Sequence, residues 1–410
     1  MKRVMVLFLC FSLAAAGPAY ADISWKDLAL PATQFSENSR YHQVNSVRED
    51  PSAPGFLLFS VSNDTVGIQV EGLVALKKWI QEAAVLGQLG GDTGAARGVA
   101  GGAVESIKGT GRGLKNLVLH PVNSAKGLGA AAGRVGDKVG DAFREKEDGE
   151  KGDDFLSSTK RQIAAKLGVD VYTRNEQLQD KLSSMARQQM GGRGVVMVAN
   201  FFLPIGFIAS AVVTVSNINN SADQLVNDKD RIDLYKINKD ALVRLGIPEN
   251  GAVALLNNPR YTPREATYLR FYLEKLSNLE GYKTLAGLAA QVAEDLPARK
   301  LLHEMQIAAD AMAGLNDAVA IRAVPEGLLL ERKNGMILIG GYDYLTTSPL
   351  GDRLIRKAGE YRNQYQKSSA EIWSGGVVTP KFSGALLLNG IKGKRMCLFQ
   401  TGAKNDSMPD

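Results

Sequence analysis

The residues able to do soft-ligand or imidazole chemistry are few. The chain has three histidines, His42, His120 and His303, and two cysteines, Cys10 and Cys397. None of the histidines sits in an HExxH pattern, and no cysteine pair accompanies them, so a zinc or iron site built from His and Cys is not expected. There is no GxSxG elbow, no GxxxxGK[ST] phosphate loop and no EF-hand loop. Gly109-Thr110-Gly111-Arg112-Gly113 has the look of a dinucleotide loop, but no strand precedes it and its third glycine is misplaced. The best polar cluster is Asp295, His303, Glu304 and Asp310, on one helix expected after Pro297. His303 and Glu304 are adjacent and point to different faces, so the cluster reads as a solvated helix side rather than an acid–base pair. Tyr261, Tyr268, Phe271 and Tyr272 read as core or groove lining, not as a stacking platform for nucleic acid. No catalytic, metal or cofactor-binding residue is assigned, and the balance leans away from an enzyme.

Two segments carry physical chemistry of another kind. Glycine recurs at Gly94, Gly98 and Gly102, at Gly109 and Gly113, and at Gly129, Gly133, Gly136 and Gly140. Spacings of three and four place such residues on one side of a helix, where a smooth face permits close helix packing. Each glycine costs about 1 kcal/mol against alanine inside a helix, so this segment is expected to be loose or to be ordered by a partner or membrane surface. Between Gly94 and Gly140 seven basic residues face two acidic ones, a stripe suited to anionic lipid or another acidic polymer. The second segment, 194–222, contains no charge and centres on Phe201, Pro204 and Phe207. It is long enough to span a bilayer. Its downstream flank is acidic and its upstream flank basic, against the positive-inside tendency for a chain exported by its N-terminus. A protein-buried or membrane-inserting hairpin turning at Pro204 is therefore favoured over a transmembrane span. The membrane- or partner-contact candidates are Gly94, Gly98, Gly102, Gly109, Gly113, Gly129, Gly133, Gly140, Phe201, Pro204 and Phe207.

The first 21 residues have a positive start at Lys2 and Arg3, an apolar run from Val4 to Ala16, and small residues at Ala19 and Ala21. This pattern predicts a secretory signal cleaved between Ala21 and Asp22, and an exported, periplasmic or envelope-associated protein. Cleavage would remove Cys10 and leave Cys397 alone, so no intrachain disulfide is expected. The formal net charge of +6 would fall by the two residues Lys2 and Arg3, too mild a value for a dedicated nucleic-acid binder. At 410 residues, with 45% hydrophobic and 22% charged residues, the chain has the composition of a globular protein.

The pattern of elements predicts a mainly α protein with small β-hairpins near both ends, α+β at the C-terminus. A poorly ordered lead-in over 22–54 precedes a hairpin, a helix over about 71–89 and the glycine-rich basic segment, together 55–143. A charged linker, 144–154, separates this from a helical domain over 155–322. Within that domain helices are expected at 157–167, ending at Gly168, and at 175–190, with Leu178, Leu182 and Met185 buried. Further helices are expected at 223–245, at 263–279 behind a Thr262–Glu265 capping box, at 284–296, and from Pro297 to about Ala320. A small α+β region, 323–400, opens with a hairpin at Asn334-Gly335, continues with a helix over 349–366 and repeats the Asn-Gly device at 389–390. A tail covers 401–410.

LGVDVYTRNEQLQDKLSSMAR (167–187), preceded by HPVNSAKG (120–127), resembles an uncharacterised family of exported bacterial envelope proteins. NNPRYTP (257–263) and SGGVVTP (374–380) resemble it more loosely. The resemblance covers roughly 66–280. It implies a bacterial envelope location and transfers no chemistry.

These observations lead to an expected non-enzymatic envelope protein, associated with a membrane surface or an envelope partner, with homo-oligomerisation open and nucleic acid excluded. A pore-forming or membrane-inserting protein is the first alternative. A periplasmic hydrolase with an unrecognised site, His303 being its one named candidate, is the second.

Overall fold

The computed structural model describes residues 36, 38–39, 41–63, 66–90, 155–190 and 217–395. Helix makes up 54% of this region and strand 21%. Helix predominates as expected, but the protein is mixed α/β rather than helical with small hairpins.

Strands β1 (Gln43–Glu49), β2 (Leu57–Asn63) and β3 (Val66–Glu71) form an antiparallel sheet in that order. β2 alternates cleanly, burying Leu57, Phe59 and Val61. β1 lies inside the stretch expected to be a disordered lead-in. A bulge between Val44 and Ser46 shifts its register, so the buried residues are Val44 and Val47, three apart, and the period of two is lost from the sequence. Helix α1 (Leu73–Gly90) follows β3. Its expected stripe of Leu73, Leu76, Ile80 and Ala83 is buried, but so are Lys77 and Glu82, because other helices cover its second side.

Helices α2 (Phe155–Leu167) and α3 (Glu176–Met190) agree with expectation. Gly168, at φ +66°, ends the first, and Asn175 accepts from Leu178 N to cap the second. The helix expected over 223–245 is two helices, α4 (Asn217–Asp228) and α5 (Arg231–Arg244). Asp230 breaks it by accepting from Ile232 N and Asp233 N, which starts a new helix rather than continuing the old one. α6 (Glu249–Leu256) was not anticipated. α7 (Pro263–Lys275) begins with the full Thr262–Glu265 capping box. α8 (Tyr282–Gln291) and α9 (Asp295–Ala311) complete the layer.

The predicted last helix does not reach Ala320. Ala318–Val324 is strand β4, the edge of a five-stranded sheet whose order is β10-β8-β6-β5-β4. β5 (Gly327–Arg332) and β6 (Gly335–Gly340) are the expected Asn-Gly hairpin. After the short β7 (Tyr344–Leu345), helix α10 (Pro349–Gln364) crosses over to β8 (Ser369–Ser374), parallel to β6. Then the short β9 (Val377–Val378) and α11 (Pro380–Leu388) lead to β10 (Ile391–Arg395), parallel to β8. Asn389-Gly390 is therefore a helix-to-strand turn, with Gly390 at φ +65°, and not a hairpin. The C-terminal region is an α/β unit with two parallel crossovers instead of the expected α+β arrangement.

β5 and β6 are buried on both faces. Leu328, Leu330, Ile337 and Ile339 face one side, in the core that includes Met305, Ile307 and Ala308 of α9. Leu329, Met336 and Leu338 face the other, against Leu354, Ile355 and Ala358 of α10. The first of these cores runs on through the helices to the N-terminal sheet. At about 1.5–3 kcal/mol for each large apolar side chain taken from water, it dominates the favourable free energy of the fold.

Candidate functional site

The assigned contact residues Gly94, Gly98, Gly102, Gly109, Gly113, Gly129, Gly133, Gly140, Phe201, Pro204 and Phe207 lie outside the described residues, as do His120, Cys397 and the linker 144–154. The residues that anchor their segments are placed. The connection between α2 and α3 is compact. Thr173 N donates to Asp170 O, and the Gln179 amide returns from α3 to Val171 O and Thr173 O at 2.6 and 2.9 Å. Lys160 faces both Asp180 and Arg187. The two helices therefore fold back on each other as a hairpin. α4 runs alongside, with Asp230, just past its C-terminal end, close to Tyr172 in the connection.

The α2–α3 connection is locked by charge. Asp170, in the α2–α3 connection, accepts from Tyr172 N at 2.9 Å and from Arg264 Nε at 3.2 Å, with Lys78 Nζ at 3.9 Å. Arg264, on the first turn of α7, also donates to Asp223 at 2.5 Å and Asn227 at 3.3 Å. Tyr268 OH donates to the same Asp223 oxygen at 2.5 Å. Behind this, buried Glu82 accepts from Thr173 Oγ1 at 2.5 Å and Asn175 Nδ2 at 3.2 Å, and burial holds its carboxyl above the usual range despite Lys78. Arg174 donates to Pro259 O at 2.7 Å and pairs with Asp295. The stretches 167–187 and 257–263 thus meet in one network. Its guanidinium groups bond to carboxylates, the Asn227 amide oxygen and the Pro259 carbonyl, so the network holds four elements together.

A second polar cluster lies at the carboxyl ends of the parallel strands, where open α/β sheets take ligands. Here the crevice is filled by the β1–β2 turn. Asp343 N and Tyr344 N donate to Gly55 O at 2.9 and 3.1 Å, and Leu57 N donates to Asp343 Oδ2 at 3.0 Å. A Cβ on Gly376 would stand 2.1 Å from Asp343 O, so only glycine lets the two crossover loops close this far. Burial pushes Asp343 up to about 6, against the Leu57 and Leu73 amides and Arg299. Glu71 is pushed up to about 7, by burial first and by Asp50 beside it, against Arg299 at 3.0 Å.

The predicted cluster on α9 is not a solvated face. Glu304 is buried, pairs with Lys300 and accepts from Gly341 N at 3.1 Å, because the five-stranded sheet lies over this side. His303, lowered to about 4 by burial and by Arg299, is neutral. Asp295 is drawn into ion pairs with Arg174 and Arg260. Tyr261 and Tyr272 are core residues, and Tyr268 and Phe271 pack against that core, in line with the lining role. Among the described residues no group of three or more His, Cys, Asp or Glu gathers to hold a metal, and no helix is long and apolar enough to cross a membrane.

Sequence reasoning missed Asp170, Arg264, Asp223, Glu71, Arg299 and Asp343. One signal was available for Asp343, a lone carboxylate between two tyrosines directly after an apolar strand and two glycines. No protein-family model, curated protein or solved structure matches the chain.

Proposed function

We propose that this chain is a non-enzymatic, exported envelope protein that associates with a membrane surface or an envelope partner through the glycine-rich basic segment and the apolar stretch 194–222. The observation that carries the reading is the make-up of the two segments themselves. The stretch 94–140 is glycine-rich and basic, and the stretch 194–222 is apolar and free of charge. A basic stripe supplies attraction to an anionic surface, and an apolar stretch supplies burial once it arrives. The ion network around Asp170 and Arg264 holds α1, the α2–α3 hairpin, α4 and α7 as one support.

Fractionation of cells making the full chain tests this reading. Wild type is expected in the membrane pellet, and a variant lacking 94–140 in the soluble fraction. A wild-type protein wholly soluble at low ionic strength would end the proposal. An alkaline carbonate wash separates its two forms. Retention in the pellet places 194–222 in lipid and favours the membrane-inserting alternative, which also requires dye release from anionic vesicles. Release by carbonate indicates peripheral attachment.

A further inference from the structure

The parallel strands β6, β8 and β10 all begin at one end of the five-stranded sheet, and their register sets the starts level. Gly335 stands beside Ser369, and Ile391 beside Ala370. The turns that feed them therefore share that end: Lys333-Asn334 before β6, Lys367-Ser368 before β8 and Asn389-Gly390 before β10. Hydrogen bonds tie the first two together, Ser368 N donating to Asn334 O at 3.1 Å and Lys367 Nζ to Lys333 O at 3.3 Å. At the third, Arg362 from the last turn of α10 comes within 4.0 Å of where a Cβ on Gly390 would stand.

α11 ends at this place on Leu387 and Leu388. They are 71% and 91% exposed, the two most exposed large apolar side chains among the described residues. Phe382 and Leu386 fill the buried side of α11, so these two leucines give apolar surface to water without adding to the core. The surroundings are basic. From Ile372 to Arg395 the chain carries Lys381, Lys392, Lys394 and Arg395 and no acidic residue. Lys333 and Lys392 are exposed, and Arg362 is half-buried. Carboxylates on the adjoining elements are already taken: Glu331 by Lys367 at 2.9 Å, Glu360 by Arg356 and Lys357, and Glu371 by Trp373 Nε1 and Arg332.

We propose that this end of the C-terminal α/β unit docks on an anionic lipid surface. Leu387 and Leu388 enter the boundary between headgroups and acyl chains, and Lys333, Arg362 and Lys392 meet the lipid phosphates. Exposed leucines beside cations match a surface that is apolar within and negative outside, and no acidic side chain of the α11–β10 segment opposes the approach. The inference rests on the membrane reading above and deepens it, adding a contact carried by the folded part of the chain.

The test uses the full chain with Cys10→Ser and Cys397→Ser, so that an environment-sensitive fluorophore can be placed at exposed Asn389→Cys alone. The probe surface is phosphatidylcholine vesicles with about 30% phosphatidylglycerol and a trace of spin-labelled lipid as quencher. The label is expected to shift to the blue and to be quenched on these vesicles, and to do neither on phosphatidylcholine alone. A label at exposed Asn250→Cys, on α6, should stay in water. Leu387→Ser with Leu388→Ser should weaken entry of the tip at least about tenfold, read as lost quenching. Both side chains are exposed, so that variant keeps its core. A chain that sediments with the vesicles while the label at 389 stays in water overturns this inference and leaves the reading above standing. Quenching at 389 that persists in a chain lacking 94–140 upholds the inference and removes that segment from the reading. A chain that sediments with no vesicles ends both. A label already shielded before lipid is added also overturns the inference, giving the leucines to the chain's own tail, or to a second copy where shielding grows with protein concentration.

Discussion

At the scale of single residues, the decisive features are carboxyls that have left water. Glu71 and Asp343 have folded pKa values of about 7 and about 6, above their ordinary 4.5 and 3.8, because burial disfavours the charged form. A carboxyl raised in this way contributes stability that is complete below its unfolded pKa and is lost as pH rises through its folded pKa. The protein should therefore lose stability from these two groups between about pH 4 and about pH 7. Melting temperatures measured across that window should fall less steeply in Glu71→Gln than in wild type, and an identical slope would remove Glu71 from the account. Arg264 acts in the opposite sense. Its guanidinium joins Asp170, Asp223 and Asn227, so Arg264→Ala leaves Asp170 with only the distant Lys78 as a cation and Asp223 with only the Tyr268 hydroxyl. A loss of about 3 kcal/mol is expected in urea unfolding, with a smaller loss for Arg264→Lys, which keeps the charge but not the fork.

Single elements were legible where one local cause fixes them. Thr262-Pro263-Arg264-Glu265 starts α7 because the Thr262 hydroxyl accepts from Glu265 N, the Glu265 carboxylate accepts from Thr262 N, and proline suits the first turn. Thr262→Ala should cost about 1 kcal/mol, read as a lower urea midpoint with unchanged slope. Asn334-Gly335 likewise announces its hairpin. Elements were misread where the cause lies outside the segment. Ala318–Val324 has the composition of a helix, but β5 supplies its hydrogen bonds and Glu280 pairs with it from the other side. That second seam depends on Gly281, at φ +91° with Ile321 O only 2.2 Å from where a Cβ would stand. Gly281→Ala should cost more than about 2 kcal/mol, through strain and a parted seam. A variant as stable as wild type would show that the α8–β4 contact opens without cost.

For the whole molecule, one continuous core joins the N-terminal sheet, the helices and the inner face of the C-terminal sheet. Its buried contacts cross the segment boundaries drawn from composition. Trp79 lies in the N-terminal part of that core and Trp373 in the C-terminal part. Leu330→Ala, at a fully buried site, should cost about 2–5 kcal/mol. It should shift the melting of both tryptophans together, measured in single-tryptophan variants. Separate shifts would mean two independently folding units.

The sequence by itself determined the periodic helices, the capping box and the Asn-Gly hairpin, because each rests on neighbours within about one turn or one segment. Only the tertiary structure decided that β1 is a strand, that β6, β8 and β10 run parallel, and that Asp170 meets Arg264. Each of these depends on groups far apart in the chain. A register bulge, a crossover and a buried ion pair are settled by which surfaces exclude water together, and that is a property of the packed molecule rather than of any stretch within it.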